Sequence, residues 1–237
     1  MNKIEFTAWK DLNGVMVEEI NSLYTNILFS GENNKVIGIL SSNENEGKTF
    51  VAMELLRAAA NDGKKAILLD ADFRKSRIKD GYGVENKEVT GIVSYLCGKA
   101  EYDEIICETN VENAHVVLTD KYIPNPIRLL NSDKFSELIA RLKEEYDFVI
   151  VDMPPVNLVI DGAIVAAKCD GVALVVQANA THFRMVTAAK HQLDKAGANI
   201  LGVILNKAKR KMLNHYYGGK YYGGKNYGRG YYRHEKD

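Results

Sequence analysis

One short segment constrains the fold of this chain more than any other: a run of apolar residues that leads directly into Gly47-Lys48-Thr49. Residues 36–40 predict a buried strand, and residues 50–60 predict a helix. A loop of free backbone N–H groups before a helix binds anions, the lysine can reach terminal phosphates, and the threonine hydroxyl can bind Mg²⁺. The segment therefore predicts a strand, a loop and a helix that together hold a nucleotide by its phosphates.

The loop departs from the usual pattern G-x-x-x-x-G-K-[ST] at its first position, where Ser42 replaces glycine. Gly47 lets the backbone come close to a phosphate. We expect Asn45 and Ser42 to form the tight turn, because asparagine tolerates the left-handed region better than most residues. The residues expected to contact the nucleotide belong to the loop, the start of the helix and the end of the last strand: Ser42, Asn43, Glu44, Asn45, Glu46, Gly47, Lys48, Thr49, Phe50 and Asn206.

Composition narrows the class of protein. A chain of 237 residues with 46% hydrophobic residues can bury a sizeable core, and its length suggests one domain of about 200 residues plus an extra segment. Because no apolar stretch approaches roughly 18 residues and no basic-then-apolar leader is present, we expect a cytoplasmic protein without a membrane span. The odd number of cysteines, without Cys-x-x-Cys spacing, argues against a disulfide framework or a zinc site.

Strands and helices alternate along the chain. After the first strand, near-continuous apolar runs predict strands at residues 66–70, 115–118, 147–151, 171–176 and 200–205. Helices are predicted over residues 50–60 and 181–195 and by two apolar stripes, Met16, Ile20, Leu23, Ile27 and Phe135, Leu138, Ile139, Leu142. This alternation predicts an α/β fold, a mostly parallel sheet with helices on both faces.

Carboxylates follow two of the predicted strands. Asp70 and Asp72 close one of them, and Asp152 closes another. Since ligands bind at the carboxyl ends of parallel strands, we expect these side chains at the same edge as Lys48. Each aspartate alone could equally be a helix N-cap or a turn residue. Together with the phosphate loop, the set favours Mg²⁺ ligands and a base that accepts a proton from an attacking hydroxyl.

The segment from Lys207 to Asp237 differs in composition from the rest of the chain. Its nine Lys and Arg outnumber Glu235 and Asp237, for a formal charge of about +7, and it has no apolar periodicity. We therefore expect residues 1–206 to form the folded domain and residues 207–237 a flexible basic tail. Seven of the chain's 13 tyrosines lie in this tail: Tyr216, Tyr217, Tyr221, Tyr222, Tyr227, Tyr231 and Tyr232.

Composition leaves three roles open for the tail. Solvated tyrosines flanked by small or basic residues can be phosphorylation substrates, and phosphorylation would reverse the charge of the tail. Tyrosine also stacks on bases while Lys and Arg contact phosphates, which would suit a nucleic-acid tail. The segment could equally be an aromatic low-complexity sequence without a specific role.

Several motifs together resemble the bacterial tyrosine kinases of capsule and exopolysaccharide synthesis, P-loop NTPases related to the partitioning and septum-site ATPases. The resemblance covers nearly the whole chain. It rests on the end of the phosphate loop, two aspartate motifs, the last strand and the tyrosine cluster, which are residues 46–49, 68–74, 149–155, 201–206 and 216–232.

The resemblance implies an enzyme that uses ATP and Mg²⁺ to phosphorylate its own tail tyrosines, largely between subunits. In this family's arrangement, Asp70 would be the base for the tyrosine hydroxyl and Arg74 an electrostatic helper. The resemblance assigns the metal site to Thr49, Asp72 and Asp152, and catalytic roles to Lys48, Asp70 and Arg74.

The resemblance also implies partners. We expect a membrane polysaccharide co-polymerase, or chain-length regulator, to activate the kinase and hold it at the inner face of the membrane. A protein-tyrosine phosphatase and further copies of the chain in a homo-oligomer are also expected, and nucleic acid is not. The family's ring-forming pattern is kept at Glu18, but Asn21 and Tyr24 occupy its two arginine positions, so ring assembly does not follow from the sequence.

A non-kinase, ATP-controlled switch or scaffold of the partitioning-ATPase type is the main alternative. That class usually carries an extra lysine early in the phosphate loop, and residues 41–46 contain none. A nucleotide-binding scaffold without kinase activity is a third possibility, which rests on Ser42, Asn45, Asn21 and Tyr24. Of these, Asn45 stands where the kinases usually have glycine, and Met153 is a separate departure that replaces a small hydroxyl residue. The candidate catalytic residues are nevertheless all present, and the tyrosine cluster favours the kinase.

Overall fold

The computed structural model describes residues 2–31, 33–84 and 89–208, so the seven tail tyrosines lie outside the described residues. The described strands are β1 (Asn2–Lys3), β2 (Val36–Ser41), β3 (Ala66–Asp70), β4 (Cys107–Glu108), β5 (Ala114–Val117), β6 (Phe148–Asp152), β7 (Gly171–Gln177) and β8 (Ile200–Asn206). The chain divides into two units after Asn206, and all of these strands belong to the first unit.

The described helices differ widely in length. They are α1 (Gly14–Leu28), α2 (Lys48–Asn61), α3 (Ile78–Gly81), α4 (Ile92–Leu96), α5 (Tyr102–Ile105), α6 (Ile127–Leu130), α7 (Asp133–Glu145), α8 (Asp161–Ala166) and α9 (Phe183–Lys195). The four predicted helices correspond to α1, α2, α7 and α9, whereas the other five are short and carry little periodic signal. In the described ranges, every helix falls short of the length or the apolar character that a bilayer span requires.

Across the described ranges, the strands form one sheet in the order β1-β4-β5-β3-β6-β2-β7-β8. The neighbouring strands in it run parallel except β4 and β5, which are antiparallel. This confirms the predicted α/β fold. The sequence pattern does not predict β1 and β4, because a strand of two residues cannot show a repeat.

Apolar side chains cover both faces of the sheet. Helices α1 and α2 pack on one face, and α7, α8 and α9 pack on the other. Every residue of β2, β3 and β6 is buried, which explains why these strands are near-continuous apolar runs rather than alternating ones. The three central strands are therefore fixed from both sides, and their carboxyl ends form a rigid edge.

Helix α1 uses only part of its predicted apolar stripe for packing. Ile27 is buried and Ile20 and Leu23 are partly covered, whereas Met16 is 38% exposed. The predicted helix is thus confirmed, and its apolar stripe is covered more fully toward the C-terminal end than at Met16.

Tyr24 has an internal position on α1. Its ring packs edge-to-face on Phe148, with ring centroids 5.5 Å apart, and its hydroxyl donates to Asp62 over 3.0 Å. One arginine position of the family's ring-forming pattern is therefore filled here by a packing residue that is not available as a surface cation.

A buried polar contact ties the N-terminal segment to α2. Trp9 Nε1 donates to Glu54 Oε1 over 3.0 Å, and Glu54 is only 2% exposed. The Arg57 guanidinium lies 4.5 Å from the centre of the Trp9 ring and donates to the main-chain oxygens of Trp9 and Lys10. Because a buried carboxylate is costly without hydrogen-bond donors, Trp9 stabilises the helix that begins at the phosphate loop.

We predict that Trp9→Phe lowers the free energy of unfolding by about 1–3 kcal/mol, because Glu54 loses its buried donor. Urea denaturation followed by circular dichroism measures this change. Phe29→Leu is the control, since Phe29 is 84% exposed and the substitution should change stability by less than about 0.5 kcal/mol. A Trp9→Phe effect as small as that of the control would contradict the assigned role of the contact.

Candidate active site

Parallel strands bring the predicted carboxylates to one edge of the sheet. Strands β3 and β6 pair in register, with Asp70 opposite Asp152, and Asp72 follows shortly after β3 ends. Strand β2 pairs with β6 on its other side and continues into the loop before α2, which begins at Lys48. The structure thus brings these four predicted residues together at the carboxyl edge.

The Lys48 ammonium lies between two carboxylates. Its Nζ is 3.3 Å from Asp72 Oδ2 and 3.3 Å from Asp152 Oδ1. Burial alone lowers the pKa of Lys48, but the charges of Asp152 and Asp72 outweigh burial, so its pKa is raised. Burial also raises the pKa of Asp152, against the opposing effect of Lys48. The lysine therefore stays charged and neutralises two buried acids.

Oxygen atoms suited to a hard cation surround this lysine. Thr49 Oγ1 donates to Asp152 Oδ2 over 2.7 Å and lies 3.3 Å from the Lys48 ammonium. In residues 2–31, 33–84 and 89–208, no group of three or more His, Cys, Asp or Glu could form an all-protein metal cage. Mg²⁺ is usually bound by one or two carboxylates, water and substrate phosphates, so Thr49, Asp72 and Asp152 fit this ion.

Asp70 is completely buried and accepts three hydrogen bonds, one of them from the Asp72 N–H to its Oδ1 over 3.3 Å. The Ser76 hydroxyl and the Thr119 backbone N–H both donate to its Oδ2. Burial, followed by the negative charge of Asp152, raises the pKa of Asp70 to about 7. Such a carboxylate is well matched to proton transfer near neutral pH.

The phosphate loop turns at Asn45 and Gly47, whose φ angles are 62° and 96°. Asn45 therefore adopts the left-handed conformation at the turn, whereas Ser42 has no positive φ. Asn206 lies against the loop, since its Nδ2 donates to the Glu46 carbonyl over 2.9 Å. A Cβ on Gly47 would lie only 2.0 Å from this nitrogen, so the position requires glycine.

Ser42 is instead a partner of the Glu46 carboxylate, which is 4% exposed. The Ser42 hydroxyl lies 2.8 Å and 2.9 Å from the two Glu46 oxygens, and the Asn43 N–H donates to Oε2 over 2.8 Å. The Thr181 hydroxyl, from the segment after β7, also donates to Glu46. The carboxylate therefore links two positions of the loop to a neighbouring segment and fixes the loop conformation.

The other predicted loop residues lie toward the surface or the core. Glu44 is exposed and forms an ion pair of 2.7 Å with Lys75. Phe50, in the first turn of α2, is half-buried and packs against the core. Among the described residues, no hydrogen bond or ion pair joins either side chain to Lys48 or to its partners Asp72 and Asp152.

Arg74 is committed to a different carboxylate. Its Nε donates to Asp161 Oδ2 over 2.5 Å, its Nη2 donates to Asp161 Oδ1 over 3.2 Å, and its Nη1 donates to the Pro124 carbonyl. The bidentate bond to Asp161 raises the pKa of Arg74 and fixes the plane of the guanidinium. A role as an electrostatic helper stays a prediction, and it requires Arg74 to exchange this partner.

Sequence reasoning does not find four residues that support the site: Ser76, Thr119, Asp161 and Thr181. Thr119 and Thr181 follow the carboxyl ends of β5 and β7, so the rule that ligands bind at this edge could have identified them. Ser76 and Asp161 do not directly follow a strand, and no motif or residue spacing around them indicates a role in the site.

Comparison with known proteins identifies close relatives. The AAA domain family matches residues 34–207. The tyrosine-protein kinase CpsD of Streptococcus agalactiae is 39% identical over 216 residues, which cover 91% of this chain and 94% of that protein. The CpsD protein of Streptococcus pneumoniae is 40% identical over 190 residues, covering 80% of this chain and 83% of that protein.

Solved structures similar to this chain also include a tyrosine kinase domain. The chimerical protein CapA2B2 is 28% identical with a TM-score of 0.79, covering 89% of this chain and 95% of that one. The kinase domain of Escherichia coli tyrosine kinase ETK is 27% identical with a TM-score of 0.78, covering 94% and 86%. The cell division ATPase MinD of Pyrococcus furiosus is more distant, with 26% identity, a TM-score of 0.62 and coverage of 75% and 73%. On these matches, the chain belongs to the AAA domain family and, within it, to the bacterial tyrosine-protein kinases.

Proposed function

We propose that this kinase uses ATP and Mg²⁺ to phosphorylate the tyrosines of its C-terminal segment, between copies of the chain. We propose further that this reaction regulates the polymerisation and export of capsule or exopolysaccharide. One observation carries the proposal: the Lys48 ammonium lies 3.3 Å from both Asp72 and Asp152, beside the Thr49 hydroxyl. This cluster combines a cation for phosphates with oxygen ligands for a metal.

The proposed reaction joins a tyrosine oxygen to the γ-phosphorus of ATP. The bond from this phosphorus to the bridging oxygen of the β-phosphate breaks, and ADP leaves. Lys48 and the backbone N–H groups of the loop stabilise the charge on the transferred group, and Asp70 takes the phenol proton. Mg²⁺ held by Thr49, Asp72 and Asp152 would supply further positive charge to the β- and γ-phosphates.

A switch or scaffold without kinase activity is the second candidate, because the fold is shared with MinD. Two observations favour the kinase. Residues 41–46 contain no lysine, and the tyrosine-protein kinase relatives match most of the chain. Hydrolysis of ATP without phosphate on any tyrosine, measured by intact mass, would support the switch.

The proposal includes three partners. A membrane polysaccharide co-polymerase activates the kinase and holds it at the inner face of the membrane, a phosphatase removes the phosphates, and further copies of the chain form a homo-oligomer. The likeness to the tyrosine-protein kinase CpsD and to the chimerical protein CapA2B2 supports this part of the proposal. Because position 24 is a buried tyrosine and not an arginine, an oligomer must use other contacts.

We predict that Lys48→Met lowers tyrosine phosphorylation by at least about 100-fold, because the transferred phosphoryl group loses a charged contact. The assay uses Mg²⁺, ATP and the activating membrane segment, and mass spectrometry maps the label, which we expect between Tyr216 and Tyr232. Lys64→Met is the control, because Lys64 is exposed and precedes the amino end of β3, whereas the site lies at the carboxyl end of that strand. Undiminished labelling in Lys48→Met would show that the loop is wrongly assigned.

Asp70→Asn should lower the rate of phosphorylation by about 10²- to 10⁴-fold, because the amide keeps the shape of the side chain but cannot accept a proton. The affinity for ADP and Mg²⁺, measured by calorimetry, should change much less. Asp133→Asn, at an exposed position in α7, controls for a general loss of charge. An Asp70→Asn enzyme with the wild-type rate would exclude Asp70 as the base.

Glu46→Gln should weaken the binding of ADP by about tenfold, because the loop loses charge-assisted hydrogen bonds from Ser42, Asn43 and Thr181. The matched control is Glu112→Gln, which changes an exposed carboxylate in a segment between β4 and β5. Calorimetric titration of both variants gives the comparison, and equal affinities would mean that the Glu46 contacts do not shape the binding loop.

A further inference from the structure

A cavity lies beside the active site. It has a volume of about 310 Å³ and is lined by residues of two segments, 73–80 and 119–122. The phosphate loop, Asp72 and Asp152 are not among its lining residues, so it is separate from the predicted nucleotide site. We call it the side cleft. It is large enough to accept one side chain or a small ligand.

The side cleft is connected to the active site through three of its lining residues. Ser76 and Thr119 both donate to the carboxylate of Asp70. Lys75 makes two contacts with the active site. Its backbone N–H donates to Asp72 Oδ1 over 3.0 Å, and its ammonium forms an ion pair with Glu44 of the phosphate loop. A ligand in the cleft would therefore lie next to the candidate base and to the wall of the phosphate loop.

Cations outnumber carboxylates in the cleft. Arg74, Lys75, Lys79 and Lys121 line it together with Asp80 and Asp120. Arg74 and Lys75 are neutralised by Asp161 and Glu44, and Asp120 accepts hydrogen bonds from the first turn of α4. Within the described residues, however, no ion pair or side-chain hydrogen bond engages the ammonium of Lys79 or Lys121. These two charges are available to an anion.

Aromatic surface adjoins these cations. Tyr122 is 67% exposed and lines the cleft with Phe73, so a ring can pack where an anion is bound. We propose that the side cleft binds phosphotyrosine, with Lys79 and Lys121 on the phosphate and Tyr122 against the ring. This inference rests on the proposed function, because it takes the phosphorylated C-terminal segment of another copy as the ligand.

Charge explains why the modified segment should be preferred. The segment from Lys207 onward carries about +7 and offers the two cleft lysines no anion, whereas each phosphate adds about −1.5 to −2 and supplies one. A cleft that holds a product phosphotyrosine beside Asp70 would keep the segment close while further tyrosines react. Phosphorylation of several tyrosines would then proceed from one encounter.

The test measures binding without ATP, so its failure is separate from a failure of the kinase assay. A fluorescent peptide of residues 219–229, with or without phosphate on Tyr222, is titrated with the phosphatase-treated full chain and followed by anisotropy. We expect the phosphopeptide to bind at least about tenfold more tightly than the unmodified peptide. Equal affinities would overturn the proposal.

A variant and its control locate the site. The double variant Lys79→Ala/Lys121→Ala should lose most of the phosphate-dependent affinity, whereas Lys64→Ala, an exposed lysine before β3, should bind within about twofold of wild type. Lys121→Glu tests the same charge, and thermal unfolding confirms that each variant is folded. Wild-type affinity in the folded double variant would show that the phosphopeptide binds elsewhere.

Competition defines the ligand. Phenyl phosphate should displace the phosphopeptide at a lower concentration than inorganic phosphate, because only phenyl phosphate carries a ring for Tyr122. Equal displacement would reject the aromatic part of the site.

Discussion

Two carboxylates at the ends of neighbouring parallel strands require a cation between them, and the arrangement of the active site follows from this requirement. Asp72 and Asp152 are both almost buried, so their charges are weakly screened and each is costly without a partner. Lys48 supplies the charge at 3.3 Å from each. In the proposed mechanism, Thr49, Asp72 and Asp152 would hold Mg²⁺, whose charge would replace that of Lys48 and leave the lysine available to the phosphates.

The unusual residues of the phosphate loop form a consistent set. Asparagine at position 45 adopts the left-handed conformation that glycine would otherwise provide. Serine at position 42 is accommodated because its hydroxyl binds the buried Glu46 carboxylate, which Thr181 also contacts. The departures from the family pattern are therefore compensated within the loop and by the segment after β7, and they do not by themselves argue for an inactive scaffold.

The sequence predicts the sheet and the central site residues because their signals are local. Apolar runs define the buried strands, and the carboxyl-end rule brings Asp70 and Asp152 to one edge, as their register confirms. Contacts between distant segments carry no such signal. The pairing of Arg74 with Asp161 and the packing of Tyr24 on Phe148 each join segments far apart in the chain, and only the folded structure reveals them.

The central claim is that this edge binds the phosphates of a nucleotide together with Mg²⁺. A crystal structure of the full chain with ADP and Mg²⁺ tests it most directly. The account predicts that Lys48 Nζ leaves Asp72 and Asp152 to contact the β-phosphate, and that Thr49 Oγ1 binds the metal. A structure in which Lys48 stays between the two carboxylates, with ADP bound elsewhere or absent, would contradict the account.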